Sequence, residues 1–300
     1  MSVAHDRLES SVMSKSDDSI MIGGVGGSGT RVFAESLLHA GVRSLPDLNK
    51  ASDHLGSTLL FKHLNIFKDI DEGRFEWIWS LLEKAFHGGS APTSDEKSFL
   101  KSLASQPRLN HRSQWLKKRS RCLIRSMNSK ENESRWFVKE PNLHMITPAV
   151  FDIRKNVRMV MVVRHGVDMA FSKNQQQLHL WGPLTLEDPD LAFGPVSSLR
   201  YWCKVHQGIL KLSEKHPDRI QILSFDQLCQ DPEPILRSLF YFTGINVTDE
   251  LLETCSTGVK PPKSIGRRHN EDMSVFSSTD LDFVDTFMEH IECRSETVRP

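Results

Sequence analysis

The 300-residue chain has few cysteines, and none is spaced for chemistry. Cys122, Cys203, Cys229, Cys255 and Cys293 are odd in number, widely separated and contain no C-x-x-C pair. That pattern excludes a disulfide framework and a thiolate metal site, and reads as reduced, mostly buried thiols. The 13 histidines show no H-E-x-x-H or related spacing, so no metal is expected. Long apolar runs are missing too: none approaches the roughly 18 residues that span a bilayer. Residues 1–18 lack the apolar core of a signal peptide and read as a flexible tail, which makes a cytoplasmic location the expectation. Net charge is absent as well. The 38 Lys and Arg balance 38 Asp and Glu, which argues against a nucleic-acid partner. What remains, 38% hydrophobic and 25% charged residues, suits one globular domain over residues 19–300.

Four apolar segments read as buried parallel strands, each leading into a helix: Ile20–Ile22, Trp136–Val138, Val157–Val163 and Ile220–Leu223. The third is the clearest, because an uninterrupted β-branched and apolar run marks a strand buried on both faces. After the first, Arg31 to Ala40 puts Phe33, Ala34, Leu37 and Leu38 on one helical face and stops at Gly41. After the second, Thr147 is placed to cap a helix with Pro148 at its first position. After the fourth, Asp231-Pro232 opens an amphipathic helix that Gly244 ends. Alternating strands and helices predict an α/β fold with a single, mainly parallel sheet flanked by helices. A helical insertion over about 50–130 follows the first strand and helix, with helical spacing at Leu59–Ile70 and Phe75–Phe86. Ligands of such sheets bind at the carboxyl ends of the strands, so the residues just after each strand carry the functional reading.

The first strand ends in Gly23-Gly24-Val25-Gly26-Gly27-Ser28-Gly29-Thr30-Arg31, a loop whose backbone N–H groups can face an anion at the helix N-terminus. Gly24-x-Gly26-x-x-Gly29 satisfies the dinucleotide fingerprint, which keeps an NAD(P)-dependent oxidoreductase open. That fold needs a second strand ending in an acid about 20 residues on, and Ser44 to Asn49 is not a convincing strand. A Walker A loop would need Lys at Thr30 and Ser or Thr at Arg31, which disfavours an ordinary NTPase.

Gly27-Ser28-Gly29-Thr30 also resembles the 5′-phosphosulfate loop of the sulfotransferases, whose usual core is K-S-G-T-T or, in heparan-type members, K-G-G-T-R. Gly29-Thr30-Arg31 matches the latter ending, while Gly27 stands where that family has a lysine. Three further segments carry the same resemblance in the expected order. Arg164-His165-Gly166-Val167-Asp168-Met169-Ala170-Phe171-Ser172 is similar to the family's R-x-x-x-D-x-x-x-S element for a 3′-phosphate. Val138-Lys139-Glu140-Pro141 resembles its lysine-ended strand before the acceptor site, and Phe225-Asp226-Gln227-Leu228 its segment after the fourth strand. Ser264-Ile265-Gly266-Arg267 resembles a C-terminal loop that closes over the 3′-phosphate, with Lys260, Lys263 and Arg268 nearby.

The resemblance implies a P-loop NTPase-like domain that transfers a sulfuryl group from 3′-phosphoadenosine 5′-phosphosulfate (PAPS) to a hydroxyl or amine, leaving 3′-phosphoadenosine 5′-phosphate (PAP). Gly26, Gly27, Ser28, Gly29, Thr30 and Arg31 would then hold the 5′-phosphosulfate. Arg164, Ser172, Ser264, Gly266 and Arg267 would hold the 3′-phosphate, and Phe225 either stacks near adenine or belongs to the core. Ser172 lies eight residues past Arg164, about two turns along if the helix continues. With the loop lysine missing, Lys139 is the first candidate for the catalytic cation and Arg31 the second. Asp53 and Glu140 rank equally as base, with Asp47 a further acid in the same region. A catalytically weak PAP- or PAPS-binding protein is the other reading that Gly27 motivates. The acceptor is a small molecule or a glycan. Residues 101–130 hold nine Lys or Arg and no acid, with Trp115 among them, which suits either an anionic acceptor or a solvated helix face. Nothing in the sequence fixes the oligomeric state.

Overall fold

A computed structural model describes residues 19–68, 70–130 and 135–297; the expected tail over residues 1–18 lies outside them. Four parallel strands, β1 (Ser19–Gly23), β2 (Phe137–Lys139), β3 (Val157–Val163) and β4 (Ile220–Ser224), form one sheet in the order β2-β1-β3-β4. Ile20 pairs with Phe137 on one side and Arg158 on the other, and Met161 pairs with Ile222. All four strands therefore present their carboxyl ends at one edge. The third strand has the predicted bounds; β2 sits one residue further along than expected.

The uninterrupted apolar run of β3 has its explanation in two cores. Val160 and Val162 join Ile20, Ile22, Phe137 and Leu223 on one face, while Met159, Met161 and Val163 join Met21, Val138 and Ile222 on the other. The first face is covered by α1 (Thr30–His39) together with helices from the C-terminal half. The second carries the insertion, α2 (Leu55–Phe61), α3 (Glu72–His87), α4 (Ser94–Ser105) and α5 (Ser113–Met127), and then α6 (Thr147–Ile153), α7 (Gly166–Ala170), α8 (Gln176–Thr185) and α9 (Pro195–Lys215). Returning to the first face, α10 (Phe225–Gln230), α11 (Pro232–Phe242) and α12 (Asp249–Thr257) pack there, and α13 (Ser278–Thr297) closes the second core. Gly41 and Gly244, both at positive φ, follow α1 and α11 as the sequence predicts.

Local chemistry sets most of the insertion. Asp71 caps α3 by accepting from the Arg74 amide (2.7 Å), and Thr93 and Glu96 form a reciprocal capping box on α4. Glu96 also pairs with Lys84 at 2.8 Å, binding α4 to α3. Arg119 on α5, almost fully buried, pairs with Asp47 at 2.6 Å and anchors the insertion to the loop after α1. Two expectations need correction. Leu59–Ile70 is not one helix: α2 stops at Phe61, and a short 3-10 turn follows at Leu64–Phe67. Thr147 does not cap α6 but lies inside it, its hydroxyl donating to the Leu143 carbonyl, with Ile146 at the cap. The cysteines are unpaired, but only Cys203 and Cys255 are buried. Among the described residues no helix is long and apolar enough to cross a membrane.

Four histidines are sealed in these cores, and burial dominates their titration. It pushes His54 and His206 down to about 3, and His63 and His144 down to about 4, from an ordinary 6.5. Below pH 6.5 the unfolded chain therefore binds more protons than the folded one. Stability is fully present above that value and is lost as pH falls toward 4, by on the order of 1 kcal/mol per pH unit for each ring. Urea titrations from pH 7.5 to 4.5 are expected to show this steep loss, and a shallower one in His206→Gln. A midpoint independent of pH would mean the rings are charged in the folded protein.

Candidate functional site

The glycine loop is shaped by its neighbours as much as by its own residues. Gly24 N donates to the Pro141 carbonyl (3.0 Å) and Ser28 N to the Val25 carbonyl (3.0 Å). Gln177, at the start of α8, accepts from Gly26 N at 2.7 Å and donates to the Gly24 carbonyl at 3.2 Å. Gly27 (φ 94°) and Gly29 (φ 88°) take the left-handed turn that brings the chain into α1. A Cβ on Gly29 would fall 2.1 Å from the Phe225 ring, so that ring and the loop fit only because the residue is glycine. No side chain caps α1, leaving its first N–H groups and the positive end of its dipole facing the adjoining cleft. The Ser28 hydroxyl is buried beneath the loop with no hydrogen-bond partner among the described residues. An uncapped helix start and a glycine turn together fit a bound anionic group such as a phosphate.

At the end of β3, Arg164 is almost fully buried. Its Nη2 donates to the Ser264 hydroxyl (3.1 Å), and its Nε lies 3.8 Å from Asp226 Oδ1. Burial lowers its pKa, with Asp226 and Asp168 opposing the shift. Arg164 is thus both the paired strand-end arginine and a wall of the cleft. Asp168, one turn into α7, has a fully buried carboxylate. It accepts from the Gly266 amide (2.7 Å), the Arg268 amide (2.8 Å) and Arg268 Nη1 (3.1 Å). Arg267 Nη1 donates to the Asp168 carbonyl at 3.3 Å. One carboxylate therefore moors the C-terminal loop, about 100 residues away in sequence, against the Arg164 element. Because α7 ends at Ala170, Ser172 sits in the turn beyond it and not two turns into a helix.

At the end of β2, Lys139 is only 2% exposed. Its Nζ donates to the Ala51 carbonyl (2.8 Å) and makes a short ion pair with Asp53 Oδ1, whose other oxygen accepts from Asn49 Nδ2 at 2.8 Å. Glu140 is buried too, accepting from the Asn142 amide and the Asn142 side chain, both at 2.7 Å. Burial raises its pKa, and Lys62, with Nζ 4.0 Å from Oε1, opposes the rise. Lys139 and Glu140 are each buried and each has its own partners. Asp47 stays with Arg119, away from the cleft.

These strand ends surround one cleft of about 590 Å³. Of the residues singled out from sequence, Gly26, Gly27, Gly29, Thr30, Arg31, Asp53, Lys139, Glu140, Arg164, Ser172, Phe225, Ser264 and Arg267 line it. Ser28 lies under the loop, and Gly266 turns behind it, its amide spent on Asp168. Phe225 lines the cleft while being 5% exposed, so most of its ring is core. Sequence reasoning missed Gln177 and Lys62 altogether and assigned Asp168 no role. For Asp168 a signal existed, its fixed place four residues after Arg164; for the other two none did.

The sequence profile described as the sulfotransferase family matches residues 19–249. No curated protein sequence matches the chain. Among solved structures, the chain is similar to the sulfotransferase domain of the Synechococcus PCC 7002 olefin synthase, with 16% identity over 90% of this chain and 94% of that one (TM-score 0.47). It is also similar to sulfotransferase STF9 from Mycobacterium avium, with 14% identity over 93% of this chain and 77% of that one (TM-score 0.45).

Asp168→Ala removes three hydrogen bonds to one buried charge and is expected to cost about 2–4 kcal/mol. Hydrogen exchange at the Gly266 and Arg268 amides should accelerate well beyond that of β3. Unchanged exchange there would show that something other than Asp168 holds the loop.

Proposed function

Since the chain belongs to the sulfotransferase family, we propose that it transfers a sulfuryl group from PAPS to a hydroxyl or amine of an acceptor bound beside the helical insertion. The observation that carries this reading is the convergence of the uncapped glycine loop, Arg164 with Ser264, and the Lys139–Asp53 pair around one cleft. The loop and the α1 N-terminus hold the 5′-phosphosulfate end, as a P-loop-like turn would. Arg164, Ser172, Ser264 and Arg267 hold the 3′-phosphate, with Asp168 positioning the loop that bears Arg267. Bound PAPS supplies an activated sulfuryl group, whose S–O bond to the nucleotide breaks as the acceptor's oxygen or nitrogen bonds to sulfur. A cytoplasmic setting suits this chemistry.

Of the two acids ranked equally from sequence, Asp53 is the better base. Both oxygens of Glu140 accept from Asn142, and burial favours its protonated form. Asp53 is held in place by Lys139 and Asn49 and is the more exposed of the two. Lys139 then gives one N–H to the base and one to the Ala51 carbonyl, leaving the third for charge developing on the transferring group. Its commitment to Asp53, together with Gly27, gives the second reading its support: a protein that binds the nucleotide and turns over slowly. The oxidoreductase reading fits less well, because the residues after α1 form no strand to carry the ribose-binding acid.

Calorimetric titration of PAP, AMP and NAD into wild type and Arg164→Ala tests the nucleotide assignment. PAP should bind about 10- to 100-fold more tightly than AMP, and Arg164→Ala should erase that preference. No PAP binding, or NAD binding indifferent to Arg164, would overturn it. Single-turnover assays with labelled PAPS across an acceptor library separate an enzyme from a binding protein.

A further inference from the structure

A second cavity, of about 490 Å³, opens beside the nucleotide cleft and shares Asp53, Lys62, Glu140 and Gln176 with it. The remainder of its wall comes from the insertion. His111 and Trp115 stack at 4.5 Å with their rings 9° from parallel, and Arg112 and Thr58 flank them. His111 covers one face of the indole and the Arg119 guanidinium sits 5.1 Å over the same ring, so the outer face of the imidazole is the flat surface the stack offers to a ring. The volume suits a small molecule or the terminal unit of a longer one.

Both signs of charge surround this cavity, with cations in excess once Arg108 behind it is included. Lys62 and Arg112 line it, and Arg108 lies behind it with Nη1 donating to the carbonyl of Thr58 (3.1 Å). The Nε and Nη2 of Arg108 are buried with no hydrogen-bond partner among the described residues. Burial draws that guanidinium down to about 10, so it stays charged at neutral pH. Burial, then Lys62 and Arg108, push His111 to about 4, which leaves the stacked ring neutral. The two carboxylates of the wall are engaged, Asp53 by Lys139 and Glu140 by Asn142 with Lys62 at 4.0 Å, so Arg112 and Arg108 are the cations without a carboxylate partner. Residues 101–130 contribute no acid. In a half-enclosed site such uncompensated cations attract a ligand anion more strongly than they would in open water.

Building on the proposed sulfuryl transfer, we infer that this cavity is the acceptor site and that it selects a ring-bearing acceptor carrying its own carboxylate or sulfate. The ring lies against the outer face of His111, which Trp115 backs, and the anionic group is met by Arg112 with Lys62 beside it. The hydroxyl or amine to be modified then faces the shared wall at Asp53.

Matched probes test this on PAP-loaded protein: methyl β-glucuronide against methyl β-glucoside, and 4-hydroxyphenylacetate against 4-hydroxyphenylacetamide. In at least one pair the anionic member should bind about tenfold more tightly. The preference should shrink in Arg112→Ala and in Lys62→Met, and weaken as salt is raised. The sugar pair and the aryl pair distinguish an acidic glycan from an aromatic acid as the source of that chemistry. The same titrations report PAP affinity. Normal PAP binding with no anion preference in either pair, including no binding of any probe, overturns the acceptor inference alone. A preference unchanged in both variants also overturns it. Loss of PAP binding by the wild type overturns the nucleotide reading and takes this one with it.

Discussion

Everything at this site depends on β1 and β3 lying side by side and parallel while their outgoing connections diverge. From β1 the chain travels through α1 and the insertion to β2; from β3 it travels through α7, α8 and α9 to β4 on the opposite side. A crevice must open between two such connections, because neither covers the strand ends. The glycine loop enters it from β1 and Arg164 from β3. The register fixes the offset: Gly23 pairs with Met161, so β3 continues two residues further before Arg164 emerges beside the loop.

Charge within the crevice is arranged by burial. Lys139, Arg164 and the carboxylate of Asp168 are all nearly withdrawn from water, which is costly for an ion unless a partner sits close by. Each has one, and each partner comes from a distant segment: Asp53 for Lys139, Asp226 and Ser264 for Arg164, and the 266–268 backbone with Arg268 for Asp168. These pairs contribute less to net stability than to geometry, because any other arrangement of the loops would strand a charge. The same pairing leaves Arg267 with a carbonyl and Lys62 with a carboxylate at 4.0 Å. Those side chains retain donors for a ligand.

Much of the plan was legible because periodicity and turn chemistry are local. The run Val157–Val163 had to be a doubly buried strand, Gly41 and Gly244 had to follow helices, and the strand-end rule then gathered ten of the chosen residues into one cleft, which Asp53, Ser264 and Arg267 join from elsewhere in the chain. What stayed hidden was tertiary. Gln177 grips the glycine loop from 151 residues away in sequence, and no spacing announces that. The end of α2 shows how a local pattern is overridden. Leu59–Ile70 has helical spacing, yet the Thr58 carbonyl is shared by the Lys62 amide and the buried Arg108 guanidinium, while His63, in extended backbone, hooks back to the carbonyl of Leu60. The helix stops there because partners fifty residues on claim its last turn. That stop is what places Lys62 at the wall between the two cavities.

The absent loop lysine acquires a structural reason from the same geometry. Gly27 has φ 94°, a conformation that costs a residue with a Cβ about 1–2 kcal/mol. Cationic side chains in the cleft come from elsewhere: Arg31 on α1, Lys139 on β2 and Lys62 at the end of α2. In the proposed reading, Asp53 and Lys62 stand only nine positions apart on the insertion, so the base and a cation move with it as one piece. Its attachment to the sheet, through the buried Arg119–Asp47 pair and the His54 amide on the Lys139 carbonyl, then becomes part of the active-site geometry.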